Sequence, residues 1–331
     1  MSADIPAGDT RVPPGGPPES LPELRLHAVS YAAEDIRLFE FRAIDDARLP
    51  PFTPGAHIDV HLPDGLIRPY SLAFCAGDGA AYRVGVKLER DGGGGSRYLF
   101  DTARVGDRFA IGGPRNHFPL DEAAPYSVLI AGGIGVTPIR CMAEHLTVRG
   151  QHFSLHYAVA SRGSTAFLPD LRRFAPELDL HVDAEQGGVL DIAAIVAAAP
   201  EGAHYYCCGP VPMLAAFEAA TAHLPAGQAH LEYFKAPETA PAAGGFTVVL
   251  ARSGRTLFVP EGATILQTLR DAGLTATASC EQGICGTCET GVLEGTPDHR
   301  DLLLTPAEKA SGKTMMICCS GSRTDKLVLD L

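Results

Sequence analysis

The sequence predicts three folded units in series: an antiparallel β-barrel, a doubly wound α/β domain with a parallel sheet, and a small C-terminal β domain that carries a loop of cysteines. Three observations predict this order. From about Leu24 to Leu120, apolar and polar residues alternate with a period near two in short runs split by Gly, Pro and Asp clusters, as in sandwiches and barrels. Near Pro125 the texture changes to short apolar strands alternating with helical runs, the reading of a parallel sheet. After Pro237–Gly245, a linker by composition, comes Cys280-Glu-Gln-Gly-Ile-Cys285-Gly-Thr-Cys288, with Cys318 and Cys319 far downstream. The 331 residues suit two or three domains. The expected limits are a tail over 1–22, the barrel over 23–122, the α/β domain over 123–236, a linker over 237–245 and the cysteine domain over 246–331.

In the first unit, strands are expected at Leu24–Val29, Ile36–Arg42, His57–Leu62 and Tyr82–Leu88. Two other stretches stand out there: Arg68-Pro69-Tyr70-Ser71-Leu72, and the run Gly92–Arg97, which opens a short helix over Ser96–Asp101. An arginine fork, a hydroxyl and bare backbone amides at a helix start can cradle a phosphate, and Tyr70 can cover a flat heterocycle. Taken alone, the same residues also suit a buried strand with a surface arginine and an ordinary glycine loop.

In the second unit, the strand Ser127–Ala131 runs into Gly132-Gly133-Ile134-Gly135-Val136-Thr137-Pro138 and a helix over Ile139–Thr147. Strand, glycine turn and helix N-terminus form the geometry that receives a dinucleotide pyrophosphate, although the strict G-x-G-x-x-G spacing is not kept. Further strands are expected at Phe153–Val159, Leu178–Val182 and His204–Cys207, with helices at Ala166–Phe174 and Pro212–Ala222. Cys208-Gly209-Pro210 then lies at the carboxyl edge, where such sheets bind ligands.

The third unit opens with a hairpin, Phe246–Ala251 and Thr256–Val259, around Ser253-Gly254. A helix over Thr264–Ala272 follows, and Lys326–Leu331 is the closing strand. The spacing C-x₄-C-x₂-C with one distant cysteine is that of a plant-type 2Fe–2S cluster. Thiolates are soft donors suited to iron–sulfur chemistry. Gly283 and Gly286 let the loop wrap closely and turn its amides toward the sulfurs. Zinc is the competing reading, but it prefers matched cysteine pairs, whereas three ligands crowd one loop here. On spacing alone, Cys318 and Cys319 are equal candidates for the fourth position.

Composition excludes other classes. A formal charge of −12 opposes nucleic-acid binding and permits steering toward a basic protein partner. No apolar run approaches the ~20 residues of a membrane span. Residues 1–20 lack the pattern of a signal peptide and read as a flexible tail, so a cytoplasmic location is expected.

With these segments in place, the chain resembles the phthalate dioxygenase reductase family, which includes the reductases of vanillate demethylase and related Rieske-type oxygenases. The likeness covers roughly Leu24 to Leu331. It rests on Arg68–Leu72, Gly94-Gly95-Ser96, Gly113–Phe118, Gly132–Pro138, Cys208-Gly209-Pro210 with Met213, the cysteine loop through Glu289, Pro297–Asp301 and Leu327–Asp330. The resemblance implies a six-stranded barrel that binds FMN. Arg68 and Ser96 would hold its phosphate, and Pro69, Tyr70, Ser71, Val86, Lys87, Gly94, Gly95, Asn116 and Phe234 would complete the site. It implies that Gly133, Gly135 and Thr137 lie at a nicotinamide dinucleotide's pyrophosphate, with Cys208, Gly209, Pro210 and Met213 near the nicotinamide. Ser161 and Arg162 would lie near the adenosine ribose, and Glu232-Tyr233-Phe234 near the flavin.

The resemblance also implies a β-grasp ferredoxin whose cluster is held by Cys280, Cys285, Cys288 and Cys318, leaving Cys319 on a core position. NADH is the family default, with NADPH open because Ser161 and Arg162 offer no acid to the ribose hydroxyls. Gly321 stands where the family commonly has arginine. A hydride donor gives two electrons and the cluster takes one at a time, so a flavin must stand between them, and no protein acid or base is required. The implied partner is a Rieske-type oxygenase. The alternatives are direct quinone reduction, service to a haem monooxygenase, and a non-catalytic redox sensor.

Overall fold

The computed structural model describes residues 21–75, 79–236 and 245–331. The tail over 1–20 and the linker residues 237–244 lie outside the described residues. No helix among the described residues is long and apolar enough to cross a membrane.

The first unit contains β1 (Glu23–Ala33), β2 (Ile36–Ala43), β3 (Ala56–His61), β4 (Ile67–Ser71), β5 (Tyr82–Lys87), the short helix α1 (Gly95–Asp101) and β6 (Arg108–Asn116). The strand order is β4-β3-β6-β1-β2-β5, with every pair antiparallel. A bridge between Leu72 and Val84 joins the two edges, so the sheet closes as a six-stranded barrel. Inward-facing Leu26, Phe39, Phe41, Ile58, Leu72 and Val84 fill it. Two strands were not legible as strands. β4 holds Pro69, tolerated because β4 is an edge strand, and β6 ends in Gly112-Gly113-Pro114, which reads as a turn.

The second unit runs β7 (Ser127–Gly132), a 3-10 turn over Gly133–Gly135, α2 (Val136–Arg149), β8 (Phe153–Val159), α3 (Leu168–Phe174), β9 (Asp179–Val182), α4 (Asp183–Gln186), α5 (Ile192–Ala198), β10 (His204–Cys208), α6 (Val211–Thr221) and β11 (Ala229–Glu232). Its sheet is parallel, in the order β11-β10-β7-β8-β9. The first strand, β7, lies between β8 and β10, so the order reverses there and leaves a crevice at the carboxyl ends. Helix α2 begins at Val136, three positions before the expected Ile139, because the glycine turn winds straight into it. Pro138 is accepted in the first turn, where no intrahelical N–H partner is required.

The third unit contains β12 (Phe246–Leu250), β13 (Thr256–Val259), α7 (Ile265–Asp271), β14 (Glu289–Glu294), β15 (Pro297–Asp298), α8 (Pro306–Ser311), β16 (Thr314–Met316), β17 (Gly321–Ser322) and β18 (Lys326–Leu329). The order is β13-β12-β18-β14-β16, with β12 and β18 parallel at the centre. Residues 280–288 lie between α7 and β14, and Cys288 belongs to the same apolar core as Leu266, Ile317 and Leu329.

Two seams join the units. The barrel meets the α/β domain where Arg140, only 1% exposed, donates to the Ala73 carbonyl at 2.9 Å and lies 3.4 Å over the Phe74 ring. Gly85 of β5 makes this contact possible, since a Cβ there would stand 2.6 Å from the Thr137 methyl. The barrel meets the cysteine domain through the outer face of β3. His57, Asp59 and His61 alternate with inward Ile58 and Val60. The period-two pattern sends those three polar side chains outward; Asp59 is buried against the neighbouring unit through Ser279 and Thr287, and His57 is buried beside His117.

Candidate flavin, nucleotide and cluster sites

Arg68 and the glycine run meet in the structure. The Arg68 guanidinium donates to the Ile67 carbonyl at 2.8 Å and to the Gly93 carbonyl at 2.9 Å. A Cβ at Gly93 or Gly95 would stand 2.6 Å from the Arg68 side chain, so only bare backbone fits beneath it. Gly94 adopts φ +84° and turns the chain into α1. Ser96 differs in detail: its hydroxyl accepts from the Glu89 amide at 3.0 Å and so braces the loop. Asn116 is engaged internally, donating to Thr53 and the Pro54 carbonyl and accepting from Phe118. Val86 points into the barrel core, Lys87 is exposed, and Tyr70 and Pro69 lie half-buried on β4.

Next to this cradle, three elements converge. Ser71 ends β4, Cys208 ends β10 and Glu232 ends β11, in register with Cys208. The Ser71 hydroxyl donates to Glu232 Oε2 at 3.5 Å, and the Cys208 Sγ lies 4.0 Å from the same oxygen. Burial raises the Glu232 carboxyl to about 8, partly opposed by the Ser71 hydrogen bond, and burial with the nearby Glu232 pushes the Cys208 thiol well up. Phe234 is exposed two residues on.

The glycines of the nucleotide turn divide their work. Gly133 is at φ +53° with open space where a Cβ would be, so its backbone is free to meet a ligand. Gly135 lies on the Cys208 carbonyl with no room for a side chain, and Gly132 lies against Pro210 and Met213. These two, with Gly209, pack the strand ends together. Thr137 is buried and donates to the Ile134 carbonyl at 3.0 Å. At the ends of β8 and β9, Ser161 forms a capping box with Ser164, and Arg162 makes a forked ion pair with Glu185 of α4 at 2.5 and 2.6 Å. Glu185 is an acid that the linear reading missed, because it follows the next strand.

In the cysteine loop, backbone amides do point at sulfur. Gln282 N–H donates to Cys280 Sγ at 3.3 Å and Cys280 N–H to Cys285 Sγ at 3.4 Å. Cys280 lies within hydrogen-bonding reach of Cys285, and Cys318 within reach of both Cys288 and Cys319. Hydrogen bonding with Cys280, and then with Thr287, brings the Cys285 thiol down to about 6 against the effect of burial. Gly283 and Gly286 adopt φ +71° and +74°. Cys318 is buried, whereas Cys319 is half-buried, with its Sγ 3.8 Å from the Met316 carbonyl. This donor set fits a thiolate-ligated cluster.

The barrel reaches the same loop. Asp59, 2% exposed, accepts from Arg115 at 2.5 Å, from Ser279 at 3.0 Å and from Thr287 at 3.4 Å. Arg115 also donates to Thr287 at 3.0 Å. Ser279 and Thr287 immediately precede Cys280 and Cys288. His117 is hydrogen-bonded to the Cys285 backbone, and its ring lies 5.5 Å from that of His57. Burial and the charge of Arg115 hold His57 neutral, with its pKa at about 3. Arg115, His117 and Thr287 fall in stretches that carry the family resemblance, but the sequence assigns none of these residues to an interface; the His57-Ile58-Asp59-Val60-His61 alternation was the available signal.

Comparison with known proteins agrees with this architecture. Residues 23–119 match the model described as oxidoreductase FAD-binding domain, and residues 248–322 match the 2Fe-2S iron-sulfur cluster binding domain. The chain is 52% identical over 308 residues to the phenoxybenzoate dioxygenase subunit beta of Ectopseudomonas oleovorans, covering 93% of this chain and 97% of the relative. It is 47% identical to the tetrachlorobenzoquinone reductase of Sphingobium chlorophenolicum, covering 95% and 99%. The solved structure of phthalate dioxygenase reductase superposes with a TM-score of 0.72 at 36% identity, covering 94% of this chain and 98% of that one. The fold and site thus define a modular flavin and 2Fe–2S oxidoreductase. The chain belongs to the phthalate dioxygenase reductase family.

Glu232 generates a pH prediction. Its folded-state pKa of about 8 lies above the ordinary 4.5, so the stability it contributes is complete below 4.5 and is lost as pH rises through 8. Urea midpoints should therefore fall across that window in the wild type. The fall should be smaller in Glu232→Gln, and equal slopes would show that the carboxyl ionises freely.

Proposed function

We propose that this protein oxidises NADH and delivers single electrons to a separate Rieske-type oxygenase, using FMN and the 2Fe–2S centre in turn. The observation that carries the reading is the direct seating of the cysteine loop on the barrel through Asp59, Arg115 and His117. The flavin supplies the conversion between two-electron hydride chemistry and one-electron cluster chemistry. The chain's own residues bind and orient. Arg68 and the amides of Gly93–Ser96 hold the FMN phosphate, and Ser71 and Tyr70 flank its ring. Gly133 admits the pyrophosphate, while Cys208 and Glu232 wall the side where nicotinamide meets flavin. Cys280, Cys285, Cys288 and Cys318 hold the iron, with Cys319 packed outside the ligand set. Such a protein works in the cytoplasm, where NADH is renewed.

A second reading is direct reduction of a quinone. It draws on the 47% identical quinone reductase and on a cavity of about 570 Å³ beside the loop, lined by Ile67, Arg115, Arg270, Leu274 and Thr287. The test is turnover of the purified protein with an oxygenase and, separately, with a chlorinated quinone. In Cys318→Ser the 2Fe–2S EPR signal should disappear, while NADH still bleaches a flavin that is released by acid as FMN. Cys319→Val should keep the signal. Recovery of stoichiometric FAD, or loss of the signal only in Cys319→Val, would contradict the assignment. Quinone turnover undiminished in Cys318→Ser, with no oxygenase served, would favour the second reading.

NADH preference draws on Glu185, which neutralises the Arg162 fork that a 2′-phosphate needs. Glu185→Gln should raise the NADPH-to-NADH ratio of kcat/KM about two- to fivefold, the scale of an exposed ion pair. An unchanged ratio would remove Arg162 from the specificity argument.

A further inference from the structure

Cys75 and Cys141 have no part in the function above. Cys75 lies just beyond β4 of the barrel, and Cys141 lies in α2 of the nucleotide domain. Their Sγ atoms are 3.7 Å apart, and the Cys75 Sγ is 3.3 Å from the Cys141 carbonyl oxygen. Their neighbours fix this approach. The Cys75 amide donates to Glu144 Oε2 at 3.0 Å. Arg140 donates to that same oxygen at 3.0 Å and to the Ala73 carbonyl at 2.9 Å. Its other nitrogens hold Asp170 at 3.1 and 2.7 Å, and Phe74 lies under its guanidinium. The segment that carries Cys75 is thereby bound to the turn of α2 that carries Cys141. A disulfide has an S–S length of about 2.05 Å, so the two sulfurs need close by less than ~2 Å, which side-chain rotation can supply.

We propose that Cys75 and Cys141 form an oxidation site, converted by hydrogen peroxide into a disulfide that crosslinks the flavin barrel to the nucleotide domain. Cys75 is half-buried and Cys141 fully buried, so peroxide meets Cys75 first. The Cys75 sulfur attacks the peroxide O–O bond, giving a sulfenic acid and one water. The Cys141 sulfur then displaces the sulfenic oxygen, which leaves with the Cys141 proton as a second water. The sum is two thiols and one hydrogen peroxide giving one disulfide and two waters. Disulfides of this kind in a reducing compartment are transient and redox-sensing rather than structural. The inference does not depend on which acceptor drains the cluster.

The test treats the holoenzyme with hydrogen peroxide, blocks remaining thiols with iodoacetamide, digests without reductant and maps peptides by mass spectrometry. The expected result is a Cys75 peptide joined to a Cys141 peptide, reversed by dithiothreitol. Cluster absorbance is followed at each dose. In Cys141→Ala, where no second thiol can respond, dimedone should label Cys75 under the same treatment. Two wild-type results would overturn the proposal: Cys75 accumulating as a dimedone adduct or sulfinic acid while Cys141 stays alkylatable after denaturation, or both thiols remaining free at doses that already bleach the cluster.

Discussion

The structure depends on one buried carboxylate. Asp59 stands on the outer face of a barrel strand, where its neighbours in sequence would put it in water, yet the cysteine loop closes over it. A buried charge is costly unless it is paired and hydrogen-bonded, and Asp59 has both: an arginine from its own barrel and two hydroxyls from the loop. Hydrogen bonds to a charged group contribute about 1.5–3 kcal/mol each, and leaving one unmade costs a similar amount. The two hydroxyls sit directly before Cys280 and Cys288. The contact that satisfies the carboxylate therefore also fixes where the cysteine loop lies relative to the flavin barrel.

The second seam follows the same logic with the opposite charge. Arg140 is buried in the nucleotide domain, paired with Asp170 and Glu144, and reaches the barrel through the Ala73 carbonyl and the Phe74 ring. Arg140 itself is buried while its two carboxylates reach solvent, and its charge stays paired only while the seam keeps this geometry. Together the two seams hold the nucleotide domain and the cysteine loop against the barrel. Gly85 and Gly135 serve the same end by letting backbones approach where any side chain would push them apart.

Much of this was legible in the sequence. The cysteine spacing and the Gly132–Pro138 turn are local patterns that lie on the elements expected of them, whereas Arg68–Leu72 stands out as a stretch without being assigned a strand. Bounds slipped where a turn flows into a helix, as at Val136. β4 and β6 were missed because Pro69 and Gly112-Gly113-Pro114 disguise strands as loops. The interface was not legible. Asp59, Arg115, Ser279 and Thr287 are far apart in the chain, and each has an ordinary reading as a surface polar residue. Glu185 was hidden for the same reason, since the strand that separates it from Arg162 in sequence brings it alongside in space. Periodicity says which side of a strand faces out, but not what covers that side.

The central claim is that the carboxylate of Asp59 positions the cysteine loop for electrons leaving the flavin. Anaerobic rapid mixing of NADH with the wild type and with Asp59→Ala, followed by optical and EPR detection, tests it most directly. The account predicts that the flavin bleaches in both proteins, while the reduced-cluster signal lags many-fold further behind in the variant, with the cluster still present at full content. A reduced-cluster signal that rises with the wild-type lag in a correctly loaded Asp59→Ala protein would contradict it.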